Sequence, residues 1–133
     1  MGVYDVTGPG VISTQNLVPA GNATANSAVE ADVSAANTAA VRVSGTYTGV
    51  LSVQVTMDAL PASSGSVAPV WETVGASWVT PAASGTAAAT IGSAAVGHFV
   101  VTNLGPFRRM RVTGLAAMTG AANVTITSIP YVF

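Results

Sequence analysis

The chain reads as an all-β protein: a β-sandwich or jelly roll of about eight to ten short antiparallel strands with an extended N-terminal arm. Three observations predict it. Apolar and polar residues alternate with period two in one short segment after another. Turn residues interrupt the chain about every ten positions. Helix signals are almost absent, since the alanines lie among glycines and β-branched residues. A length of 133 residues fits one domain whose core needs no covalent staple. The division expected is an arm over residues 1–10 and a single β-sandwich domain over 11–133.

The elements follow in order. "MGVYDVTGPG" ends in Gly-Pro-Gly, which separates it from the first strand signal, "VISTQNLV" (11–18). "AVEADVS" (28–34) sets Val29, Ala31 and Val33 against Glu30, Asp32 and Ser34. "AAVRVSG" (39–45) is short and ends at glycine. "GVLSVQVTM" (49–57) is the clearest strand, with Leu51, Val53, Val55 and Met57 on one face and Ser52, Gln54 and Thr56 on the other. "ALPASSGSVAP" (59–69) is a loop by its Pro, Gly and Ser content. Short strands are expected in "VWETV" (70–74), "SWVT" (77–80), "GTAAATIG" (85–92) and "GHFVVTNL" (97–104), then in "FRRMRVTG" (107–114). "ANVTITSIPYVF" (122–133) closes the chain; Val124 and Ile126 face away from Thr125 and Thr127, and Ser128 joins them if the alternation persists. One internal echo stands out. "RVSGTYTGVLSVQVT" from Arg42 resembles "RVTGLAAMTGAANVTIT" from Arg111, which reads as two similar β-hairpins.

Charge is the anomaly. Only 7% of residues are charged, against roughly 25% in an ordinary soluble domain. Half of the residues are hydrophobic and the formal net charge is −1. Such a surface lacks the repulsion that keeps copies apart, so the expected state is a homo-oligomer, with a trimer favoured. A membrane span is not expected, because the uncharged run from Thr73 to Gly97 is broken by Pro81, glycines and hydroxyls. No signal peptide is read in the first residues, which have neither a basic nor an apolar region of the required kind.

Three of the four cationic residues, Arg108, Arg109 and Arg111, fall in one strand. Alternation puts Arg109, Arg111 and Thr113 on one face and Met110 and Val112 on the other, with Arg108 reaching outward at the strand's start. Two arginines about 7 Å apart on a strand face are no nucleic-acid footprint in a chain whose acids outnumber its bases. The expected partners are Glu30, Asp32 or Glu72 of a neighbouring strand; an acidic partner surface and, after it, phosphate binding are the alternatives.

The succession "VSGTYTGVLSVQVTMD", a later Trp, "GHFVVTNLGPFRRMRVTG" and "GAANVTIT" resembles a recurrent β-sandwich module of tailed-phage virion proteins. The resemblance covers about residues 39–128 and rests on Ser44, Gly45, Thr46, Tyr47, Gly49, Asp58, Trp71, Phe99, Phe107, Arg109, Arg111 and Gly120. Asp58 departs from the pattern, being followed by Ala59 in place of Gly. The resemblance implies a sandwich fold and a virion context, and it implies no chemistry.

The acid–base inventory is one histidine, His98, and five acids, Asp5, Glu30, Asp32, Asp58 and Glu72. There is no Gly-x-Ser-x-Gly elbow and no phosphate loop. His98 reads as a hydrogen-bonded structural residue. Glu30 and Asp32 share a strand face and can, with a carbonyl, hold Ca²⁺, though a solvated face is the plainer reading. No enzyme, cofactor or metal site is expected. The expected function is that of a capsid decoration (cement) protein that binds coat subunits, located in the virion and made in the host cytoplasm. A neck, tail or fibre component is one alternative. A carbohydrate-binding module is another, with Trp71, Trp78, Tyr47 and Tyr4 as stacking rings; of the two tryptophans, Trp71 is the one expected in the core. Candidate assembly contacts are Val3, Tyr4 and Val6 in the arm, Arg109 and Arg111 in the strand, and Tyr131 and Phe133 in the tail.

Overall fold

The computed structural model describes residues 20–34, 36–58, 69–83 and 85–130. The arm with Val3, Tyr4 and Val6, the strand expected over 11–18, and the tail with Tyr131 and Phe133 lie outside the described residues. What is described is all-β, with no helix. In chain order the strands are β1 (Ala20–Ala23), β2 (Ala28–Asp32), β3 (Ala36–Ser44), β4 (Tyr47–Thr48), β5 (Leu51–Thr56) and β6 (Glu72–Thr73). They continue as β7 (Val79–Pro81), β8 (Thr90–Ile91), β9 (Gly97–Val101), β10 (Arg109–Gly114), β11 (Thr119–Gly120) and β12 (Ala122–Pro130).

They form two larger antiparallel sheets. The first has the order β1-β12-β3-β9-β7; the second runs β2-β10-β5-β6, with β8 also on β5. Period two explains both. In β3, Ala39, Val41 and Val43 point inward, opposite Ser128, Ile126 and Val124 of β12. In β10, Met110 and Val112 are fully buried between their partners on β2 and β5, while Arg109, Arg111 and Thr113 turn out. Inward residues of the two sheets, among them Leu51, Val53, Val101 and Ile126, meet in one core. Each fully buried Val, Leu or Ile contributes about 1.5–3 kcal/mol.

The connections differ from expectation. Apart from β5 to β6, consecutive strands of the two larger sheets lie on opposite sheets. The two echoing segments are therefore not hairpins. Each leaves one sheet, turns a corner through a two-residue strand, and enters the other: β3–β4–β5 in one, β10–β11–β12 in the other. The corner strands β4 and β11 pair with each other, Thr48 opposite Thr119 and Tyr47 opposite Gly120. Both corners need glycine. Gly49 and Gly120 have φ of 95° and 75°, in the left-handed region that costs other residues about 1–2 kcal/mol. A Cβ at Gly49 would lie 2.8 Å from Met118 Cα, and one at Gly120 2.7 Å from the Thr46 carbonyl oxygen.

Smaller corrections have local causes. Met57 does not continue the buried row of β5; it is 60% exposed, because β5 ends at Thr56. The opposite row is less open than alternation implies, since Ser52 and Thr56 are also buried. The strand expected over 85–92 shrinks to Thr90–Ile91. Conversely "AGNA" of β1 carries no strand propensity and is held extended by pairing along β12.

Candidate functional site

The outer face of the second sheet gathers the polar chemistry. Register sets Arg109 between Asp32 and Thr56, and Arg111 between Glu30 and Gln54. Arg109 pairs diagonally, its Nη2 donating to Glu30 Oε1. Arg111 Nε donates to Gln54 Oε1 at 2.7 Å. Trp71 covers both guanidinium groups, its ring centroid 4.3 Å from Arg111 Cζ and 5.9 Å from Arg109 Cζ. The chain returns there by a side-chain clamp: Asp58 Oδ2 accepts from Thr56 Oγ1 at 3.1 Å and from the Val70 amide at 2.8 Å. Thr73 then pairs with Gln54 in β6. Trp71 thus sits half-buried over β10 as a lid on the arginines.

The energies are modest. The Arg109–Glu30 pair is only partly open to water, its side chains being 14% and 37% exposed; fully exposed pairs contribute about 0–1 kcal/mol, and this one is screened less than they are. A cation–π contact contributes about 0.5–2 kcal/mol. Against them stands Arg109 Nε, buried without a hydrogen-bond acceptor. Asp32 is occupied elsewhere: its Oδ1 accepts from Ser34 Oγ at 2.6 Å and Ser34 N at 2.8 Å. Those two bonds, the side-chain one first, with the charges of Arg109 and Arg108, outweigh slight burial and hold its carboxyl below the usual value of 3.8. Glu30 and Asp32 therefore share a face while each is engaged by a partner of its own. Among the described residues no three His, Cys, Asp or Glu are grouped to hold a metal ion. Arg109 and Arg111 also meet their acid and amide within the one chain, an arrangement that locks the sheet more than it offers open charge.

The first sheet is different. Among the described residues its outer face carries Thr38, Ala40, Thr80, Val100, Thr125 and Thr127 around a single charged residue, Arg42, which lies opposite His98. The sequence reads His98 as a hydrogen-bonded structural residue; its side chain is exposed, while its carbonyl accepts from Ala82 N at 2.9 Å.

Among the described residues, Tyr47, Trp71 and Trp78 do not come together as one stacking platform for a sugar. Tyr47 is 4% exposed, and its hydroxyl donates to the Ala95 carbonyl. Burial pushes its phenol above the usual 10.0. The core role expected of Trp71 falls to Trp78, which packs on the core and on Phe107 with ring centroids 5.8 Å apart. One face of Trp71 is taken by Arg111. A cleft of about 280 Å³ opens beside β7 and β9, lined by Val79, Pro81, Thr90, Ala95 and Phe99 among others. None of the described residues that line it is titratable. Two features of this region were not legible in the sequence: the placement of Trp71 over the arginines, and Gln54 as the partner of Arg111. Alternation puts Gln54 on the outer face of β5, but only register shows that Arg111 lies opposite it.

Comparison with known protein families, curated proteins and solved structures finds no match to this chain.

Proposed function

We propose that the chain is a structural subunit that works by binding: a capsid decoration protein of a tailed phage, acting as a homo-oligomer on coat subunits. The observation that carries this reading is the distribution of charge. Arg109, Arg111, Glu30 and Asp32 satisfy one another or near neighbours on one sheet, and the other sheet presents a broad, nearly uncharged face of small side chains. A surface of that kind gains by being covered. The strand order supports a jelly roll in particular. β1-β12-β3-β9 faces β2-β10-β5-β6, and the chain crosses between sheets at nearly every step; two interleaved Greek keys produce this order. Jelly rolls recur in viral capsid proteins and in lectins, so the fold agrees with the virion reading by analogy only. The resemblance to phage virion modules supplies the context. Residues that carry it, Gly45, Tyr47, Gly49 and Gly120, form the paired corners.

The test is the particle itself. Virions made from the genome that encodes this chain are banded on a gradient, analysed by mass spectrometry and imaged with a labelled antibody. The expected result is the protein at a stoichiometric level on the head. Label at the neck or on the tail moves the role to a tail or fibre component. Absence from banded particles overturns the virion reading.

A further inference from the structure

We propose that the outer face of the first sheet is a self-association surface, on which the same face of a second copy of this chain docks. The proposal rests on the assembly reading above and names the surface it uses. Pairing register lines up Thr127, Ala40, Val100 and Thr80 across β12, β3, β9 and β7 as one central row. All four are half-buried and short, so the row is flat. On one side of it lie Arg42 and His98; on the other lie Thr38 and Ile129, the latter 41% exposed.

Two considerations select a second copy as the occupant. The first is charge. Arg42 is the one charged side chain on the strands of this sheet, whereas Glu30, Asp32, Glu72, Arg109 and Arg111 all belong to the other. An acidic or basic partner finds almost nothing to pair with here. A surface of the same uncharged kind does, and every copy of the chain offers one. The second is area. Five strands about 4.8 Å apart and some six residues long make a face of about 500 Å², or about 1,000 Å² for a pair, which reaches the lower bound for a specific interface.

The symmetry follows. A two-fold axis along the central row sets Ala40 against Ala40 and lays each Arg42 over the Thr38–Ile129 end of the other copy. The two Arg42 residues are then four residues apart along the strand direction, about 13 Å, beyond a Debye length of about 8 Å. The product is a two-fold pair, in place of a trimer as the smallest assembled unit.

Sedimentation velocity on the full chain tests this with Ala40→Glu and Thr127→Arg, and with Thr73→Glu on the exposed β6 of the other sheet as control. The expected result is a dimer whose dissociation constant rises at least tenfold in the first two variants and is unchanged in the control. The chain has no cysteine, so Ala40→Cys adds a unique thiol. A bis-maleimide spanning about 10 Å, the usual distance between packed sheets, should couple two chains at Cys-substituted position 40, and should not at Thr73→Cys. This second measurement decides the matter if Ala40→Glu fails to fold. An oligomer that survives both face variants, with no coupling at position 40, overturns this surface and leaves the assembly reading standing. A monomer at every concentration overturns both. Loss of stability in Ala40→Glu without any change in mass, and without coupling, means that the chain's own residues cover the face and also overturns the proposal.

Discussion

Thr48 and Thr119 face each other across the β4–β11 ribbon with their hydroxyls hydrogen-bonded, and each precedes a left-handed glycine, Gly49 or Gly120. They occupy the same place in the two echoing segments, each in a Thr-Gly that closes a corner. The echo is therefore a pair of matched corners locked to one another where the chain crosses between the two sheets.

Gly49→Ala and Gly120→Ala should each destabilise the fold by about 1–3 kcal/mol, because each adds a strained φ and a close backbone contact. Chemical denaturation measures this. The two effects should sum to less than their parts in the double variant, since one ribbon is broken twice. Full additivity would show that the corners act independently.

Arg111→Ala removes both the stack on Trp71 and the bond to Gln54. The expected loss is about 1–2 kcal/mol, with tryptophan emission shifting to longer wavelength as Trp71 loses its cover. Arg109→Ala should cost less, because the loss of a partly open ion pair is offset by removal of the buried, unpaired Nε. DNA affinity should be negligible in parent and variants alike. Salt-sensitive submicromolar binding by the parent would contradict this account of the arginines.

Tyr47 makes stability depend on alkaline pH. Its folded value is raised, so its contribution is complete below about 10, the value of an exposed phenol. The contribution fades as pH climbs through the folded value, because the unfolded chain ionises first. Tyr47→Phe should flatten that alkaline limb in thermal melts between pH 9 and about 11. At neutral pH it should cost about 1 kcal/mol, leaving the Ala95 carbonyl without its donor.

Asp32 acts at the opposite end. Its folded value is lowered, chiefly by Ser34, so the stabilisation is present above the unfolded value near 3.9 and is lost as pH falls through the folded one. Asp32→Asn should give a shallower decline in melting temperature between pH 4 and about 2 than the parent shows. Identical acid limbs would remove Asp32 from the list of groups that matter there.

Much of the strand content was legible residue by residue. Leu51, Val53 and Val55, Met110 and Val112, and Val124 and Ile126 all face inward as their alternation requires, since side-chain direction in a strand follows from backbone geometry alone. Placement of Arg109 and Arg111 on one outer face follows from the same rule; of the acids expected as partners, Glu30 meets Arg109, whereas Arg111 takes the amide of Gln54. Elements with no propensity of their own were not legible. β1 is extended because β12 pairs with it, and "AGNA" in isolation carries no such signal; the corner strands β4 and β11, two residues each, are too short to show an alternation.

By itself the sequence determined the class of this protein: all-β, charge-poor, with glycines where corners must turn. Each of those properties is local or compositional, and a chain cannot conceal them. Tertiary structure decided which strands meet. That β3 lies against β12 and β10 against β5, that the echoing segments cross between sheets, and that Trp71 closes over Arg111 are matters of long-range pairing. Many registers satisfy the same alternation of small apolar residues, and only the joint packing of both sheets around one core selects among them.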